Sequence, residues 1–265
     1  MYEKTVSTHE PGLFLILLDQ SGSMDELYNG LVKKKDFAAL AINRCIYELI
    51  DMCHAGNDIK NRCQIGVYGY GSGAAKLLIG GPVLELNEKA DPPDPDVDPN
   101  LPVWVKPRAE GCTPMCDAFK LAADLITGSW LPKWGSSFPP VVINITDGEP
   151  TDNEGKRTDF ENTKAAADAL VKLRSSDGNV LLFNAHIAGG NQAEVRLPAS
   201  MPESTPDCAK FLFSISSELP PQLLARAKYV GFSPSPGARG CVYNAGAETL
   251  TRLIEFGSLK NQLNR

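Results

Sequence analysis

The chain has 265 residues, 43% of them hydrophobic, and 26 basic against 32 acidic side chains leave a net charge of −6. That is enough apolar material for the core of one large domain, while the acidic balance, with an isoelectric point near 5.2, excludes the basic face that a nucleic-acid backbone requires. No apolar run approaches the ~20 residues of a membrane span, and the opening "MYEKTVSTHEPG" has no hydrophobic signal core, so no membrane partner and a cytoplasmic location are expected.

In chain order, the unbroken apolar run 13–18 reads as a strand covered on both faces. It ends abruptly in Asp19, Ser21 and Ser23, three oxygen-bearing side chains spaced two apart. Ala38, Ala41, Ile42, Cys45, Leu49, Met52 and Cys53 then recur at helical spacing and predict a long helix ending near Gly56. Segments 63–70 and 75–80, separated by "GSGA", predict an antiparallel hairpin. The loop-like "GYGSGAAK" lacks the G-K-[ST] ending of a phosphate loop and lies between strands, which argues against nucleotide binding.

Residues 82–110 read as a proline- and aspartate-rich loop, solvated and extended, leading towards Thr113. Its alternating aspartates suggest a calcium loop, yet the glycine and glutamate positions counted from Asp94 fall on Pro99 and Val105. A helix over 116–126 and a buried strand over 140–146 follow. Thr158 with Glu161 predicts a capping box before a helix reaching about Ser175, with Gly178 just past its end. Segment 180–188 reads as a strand, 219–229 as a helix, 240–245 as a short last strand, and 248–256 as a final helix stopped by Gly257. This alternation predicts a single α/β domain over 1–265, a doubly wound, mostly parallel sheet with helices on both faces.

Ligands of such sheets bind beyond the carboxyl ends of the strands, at the topological switch. Two strands end in acidic loops, Asp19-Gln-Ser21-Gly-Ser23 and Asp147-Gly-Glu149, and "EGCTPMCDA" adds Thr113 at the start of the helix between them. If the two strands are neighbours, the loops converge. Two carboxylates and three hydroxyls make a hard-oxygen set suited to magnesium or manganese, with no soft donor for zinc or copper. Two carboxylates at most balance a divalent charge, so an ion held there stays electrophilic towards an outside anion. Taken singly, each motif reads as an ordinary turn or helix cap; all three in this order point to a metal.

D-x-S-x-S at Asp19, Ser21 and Ser23, G-x-T-P at 111–114 and "ITDGEPTD" at 145–152 resemble the von Willebrand factor A-type domain. The resemblance spans nearly the whole chain. It implies one antiparallel edge strand and a metal-ion-dependent adhesion site, in which Ser21, Ser23 and Thr113 approach the metal through hydroxyls. Asp19 and Asp147 would act directly or through water. Magnesium or manganese would rank ahead of calcium, and a protein partner would supply an acidic residue to the metal shell. "KFLFSISSELPPQLL" and "CVYNAGAETLTRLIEFGS" resemble intracellular bacterial members of tellurium-resistance type. That second likeness implies a signalling or stress-response setting, with a protein kinase or phosphatase system as a candidate partner.

The remaining signals are weaker. Seven cysteines, odd in number and irregular in spacing, read as reduced thiols, and no C-x₂-C pair supports a structural zinc. His9, His54 and His186 lie in no motif. Asp25, Asp117 and Glu149 read as surface charges, Glu149 being the best placed of them to support the metal ligands. An enzymatic alternative remains, because an aspartate ending a first parallel strand beside magnesium also describes aspartyl phosphotransferases. Haloacid-dehalogenase-like phosphatases, however, place a general-acid aspartate two residues on, where this chain has Ser21, and no lysine follows in a matching context. A non-catalytic binding module is the expectation.

Overall fold

A computed structural model describes residues 1–28, 30–187 and 193–257. The apolar run forms β1 (Gly12–Asp19) and is followed by α1 (Lys34–Met52), β2 (Cys63–Gly71), β3 (Gly73–Pro82) and α2 (Val83–Glu88). Next come α3 (Met115–Leu125), β4 (Val141–Thr146), α4 (Phe160–Lys172), β5 (Leu181–His186) and the two-residue β6 (Val195–Arg196). The chain continues through α5 (Asp207–Ile215), α6 (Pro221–Ala227), β7 (Cys241–Tyr243) and α7 (Ala247–Gly257). Residue 188, the end of the strand expected over 180–188, lies outside the described residues.

These strands form one sheet in the order β6-β7-β5-β4-β1-β2-β3. The five inner strands are parallel, and each edge strand pairs antiparallel with its neighbour. The β3 edge is the one the sequence implied; β6 is too short to leave a period-two signature. Alternation along β1 explains the two layers. Phe14, Ile16 and Leu18 join the core beneath α1 and α7, while Leu13, Leu15 and Leu17 join the core beneath α3, α4 and α5. A strand buried on both faces must be apolar throughout, as this one is.

Several expectations need correcting. No capping box forms: Asp159 stands at the N-cap with its carboxylate accepting from Asn162 Nδ2 at 2.6 Å and not from a helix amide, and the Thr158 hydroxyl donates to Glu149 Oε2 at 3.2 Å instead. α4 stops at Lys172 because Leu173 turns extended, and Arg174–Ser175 pairs antiparallel with Gly178–Asn179. Gly178 thus serves a small ribbon and not a helix end. The helix expected over 219–229 runs only from Pro221 to Ala227, and a 3₁₀ turn carries the chain on to Gly231 at φ +84°. α2 and α5 were not anticipated.

The 82–110 segment is also not simply a solvated loop. Asn43 of α1 accepts from the Trp104 and Val105 amides at 3.0 and 2.8 Å and donates to the Val105 carbonyl at 3.0 Å. The Trp104 indole donates to the Leu86 carbonyl at 2.7 Å. Burial of Trp104 and Val105 against α1 therefore pins the end of the loop that leads to Thr113.

Candidate metal centre

The chain leaves β1 towards β2 on one side of the sheet and later returns to β4 on the other, so β1 and β4 flank the topological switch. They pair in parallel from Phe14↔Val141 to Leu18↔Ile145, which puts Asp19 and the 147–149 loop at the same end of the sheet. The convergence required by the sequence argument is met.

Asp19 ends β1 and is fully buried. Its Oδ1 accepts from the Ser21 amide at 2.8 Å and its Oδ2 from the Thr146 hydroxyl at 2.6 Å. The Ser21 and Ser23 hydroxyls stand 3.1 Å apart, and Ser23 Oγ donates to Asp147 Oδ1 at 2.8 Å. With its one hydrogen donated to Asp147, Ser23 Oγ accepts from the Ser21 hydroxyl on one lone pair and keeps the other to face an ion.

Thr113 is brought in by its backbone. Its amide donates to Thr151 Oγ1 at 2.9 Å, and its carbonyl accepts from the Thr151 amide at 2.9 Å. On the other side, the Gly22 amide donates to the Gly111 carbonyl at 3.0 Å and the Glu110 amide to the Gln20 carbonyl at 2.6 Å. All three motif loops are laced together. Gly111 is required there: its φ is +86°, and a Cβ would stand 2.8 Å from the Ser72 backbone.

The electrostatics of the cluster favour a cation. Burial, and then the charge of Asp147, push the Asp19 carboxyl up to about 7 despite its two hydrogen bonds. Among the described residues no basic side chain pairs with Asp19. A buried carboxylate paired with no base among the described residues, next to a second one and edged by hydroxyls, fits a hard divalent ion. No group of three or more His, Cys, Asp or Glu side chains suited to a metal occurs among the described residues. An ion beside Asp19 and Asp147 would find its further hard oxygens in the hydroxyls of Ser21, Ser23 and Thr113.

Two neighbours escaped the sequence reading. Lys34, the first residue of α1, is buried, and its Nζ lies 2.7 Å from Asp147 Oδ2 and 2.8 Å from Glu26 Oε2. Burial alone would lower its pKa, but the bonds to Asp147 and Glu26 leave it raised. His186 ends β5, opposite Thr146, and stacks on Tyr243 at 5.0 Å between ring centres. Burial holds its imidazole down to about 4, against a smaller upward pull from Asp147. No local motif marks either residue, since only the folded strand ends bring them there.

The supporting carboxylates lie elsewhere. Asp25 pairs with Lys33 and Lys35 at the surface, Asp117 accepts from Asn153 at 2.7 Å, and Glu149 accepts from Thr158. His54 is exposed, with Nδ1 3.2 Å from the Asp51 carbonyl oxygen. All seven cysteines are free thiols, with Cys53 and Cys63 in mutual hydrogen-bond contact. "GYGSGAAK" turns from β2 into β3 without meeting a helix.

The open, mostly parallel seven-stranded sheet with helices on both faces is a doubly wound, von Willebrand factor A/Rossmann-like α/β fold. No family model and no curated protein sequence matches the chain. Among solved structures it is similar to the pilus adhesin SpaC from Lactobacillus rhamnosus GG, at TM-score 0.56 and 11% identity, over 98% of this chain and 31% of that one. The PilB minor pilin from Streptococcus sanguinis aligns at TM-score 0.53 and 13% identity, over 96% of this chain and 62% of that one. The SpRpn10 VWA domain aligns at TM-score 0.48 and 11% identity, over 92% and 94%. The chain spans less than two thirds of the SpaC and PilB chains, and at these identities the likeness concerns the fold. Among the described residues no helix is long and apolar enough to cross a membrane.

Proposed function

We propose that the chain is a divalent-metal-dependent protein-interaction module. Asp19, Ser21, Ser23, Thr113 and Asp147 would hold magnesium or manganese, with calcium a poorer fit. The bound ion would supply a Lewis-acidic point for a carboxylate of an acidic residue on a protein partner. The chain's own residues bury and orient the donors: Thr146 and the Ser21 amide fix Asp19, and Asp147 aligns Ser23. The observation that carries this reading is Asp19 itself, a fully buried carboxylate pushed to about 7 and unpaired with any base among the described residues.

The tail resemblance adds a setting, a bacterial cytoplasmic signalling or stress-response system with a protein kinase or phosphatase as partner. Lys34 beside Asp147 gives the aspartyl phosphotransferase reading a cation that the sequence did not suggest. Against it, the position two residues after Asp19, where such phosphatases carry a general-acid aspartate, is Ser21, whose hydroxyl is no acid at neutral pH.

The test is capture of partners from a host lysate on wild type and on Thr113→Ala, in magnesium and in chelator. Capture by wild type only in magnesium, weakened by Thr113→Ala, is expected. A Glu→Gln change at the partner's contact should cost about 1.5 to 3 kcal/mol if that contact is desolvated. Equal capture in all four conditions would move the interaction surface away from the metal loops.

A further inference from the structure

Lys34 stands where a second cation is not needed if the metal acts alone. The chain leaves Ser23 through a 3₁₀ turn, forms a two-stranded ribbon of Leu27–Tyr28 with Val32–Lys33, and re-enters α1 at Lys34. The ribbon is closed at its base by the Lys34 amide donating to the Glu26 carbonyl at 3.0 Å. This fold-back carries the Lys34 ammonium into the crevice, where its side chain is 8% exposed and the side chain of Asp147 is 0% exposed. One carboxylate is thereby shared: Asp147 Oδ2 meets the ammonium at 2.7 Å, while Oδ1 accepts from Ser23, a proposed metal donor, at 2.8 Å.

We propose that Lys34 is a built-in counter-ion of Asp147 that weakens metal binding by the isolated protein and makes filling of the site depend on an outside carboxylate. The inference rests on the metal reading of the preceding section. In the buried part of the crevice Asp19 and Asp147 supply two negative charges and Lys34 one positive; the other partner of Lys34, Glu26, is 68% exposed, so water screens its charge in part and it offsets the ammonium only partially. A divalent ion then finds one net negative charge instead of two. It binds against the repulsion of an ammonium on the same carboxylate, and the loaded crevice is left one positive charge in excess. An acidic residue of a partner restores neutrality, so metal and partner bind cooperatively although neither needs to bind tightly alone.

The experiment is a manganese titration of the full chain, followed by water-proton relaxation, on wild type, Lys34→Met, Lys34→Arg and Glu26→Gln. Thermal melts of each protein in chelator report on folding. Lys34→Met should bind manganese at least tenfold more tightly, and Lys34→Arg should stay within about threefold of wild type. Glu26→Gln should bind more weakly than wild type, because the ammonium then bears on Asp147 alone. Exchanging chloride for acetate at constant ionic strength should tighten manganese binding by wild type more than by Lys34→Met. Should Lys34→Met fail to fold, the weakening in Glu26→Gln and the acetate response of wild type decide alone. Wild-type affinity in a folded Lys34→Met, or tighter binding by Glu26→Gln, would overturn the role of Lys34 and leave the metal site standing. No saturable binding by any of the four proteins would overturn both.

Discussion

At the scale of single residues, Asp19 would make metal binding depend on pH. Its carboxyl is raised to about 7 in the folded, metal-free protein, so folding takes up a proton between about 4 and 7 and the Asp19 contribution to stability falls as pH rises through that window. His186, held at about 4, works the other way, its contribution being lost as pH falls from the ordinary histidine range to 4. The two oppose one another in simple melts, and the difference made by magnesium isolates Asp19. Because the ion must displace the Asp19 proton, metal affinity should fall by up to tenfold per pH unit below about 7 and level off above it. Urea melts with and without magnesium across that range measure the effect; a pH-independent magnesium increment would contradict it. Gly111→Ala should lose most metal affinity in an isotherm, since the positive φ and the Ser72 backbone leave no place for a methyl group.

Among the elements, the sheet carries a buried polar ladder on the α3–α5 side. The Tyr70 hydroxyl donates to Asn144 Oδ1 at 2.7 Å, Asn144 donates to Asn184 Oδ1 at 3.0 Å, and Asn184 donates to Ser216 Oγ at 2.9 Å. Three strands and α5 are thus joined by groups that cannot reach water. Asn144→Leu would strand the Tyr70 hydroxyl and the Asn184 carbonyl oxygen, so a loss of about 2 to 4 kcal/mol is expected in chemical denaturation. A change within about 0.5 kcal/mol would show that the ladder is dispensable. The elements themselves were legible where periodicity was long: the apolar run of β1, the face of α1 and the hairpin β2–β3 each carry their own signal. Where competing local bonds decided the outcome, the sequence misled. Thr158 turns to Glu149 and leaves α4 uncapped, and Gly178 pairs in a ribbon with Ser175.

For the molecule as a whole, the order of the sheet turns three short motifs into one crevice. Those motifs were readable because D-x-S-x-S, G-x-T-P and the Asp147 loop are each contiguous, and alternation of strand and helix is enough to place them at one end. Lys34 and His186 were not readable. The first arrives only because the ribbon folds back on the Asp19–Ser23 loop, and the second because β5 pairs beside β4. One divalent ion is expected at Asp19, Ser21, Ser23, Thr113 and Asp147. The most direct measure is a manganese isotherm near pH 7.5 on wild type and on Asp19→Ala, with magnesium as competitor and both proteins checked for a cooperative melt. One saturable site in wild type, displaced by magnesium and lost in Asp19→Ala, is the predicted result; an isotherm unchanged by the substitution would contradict the account.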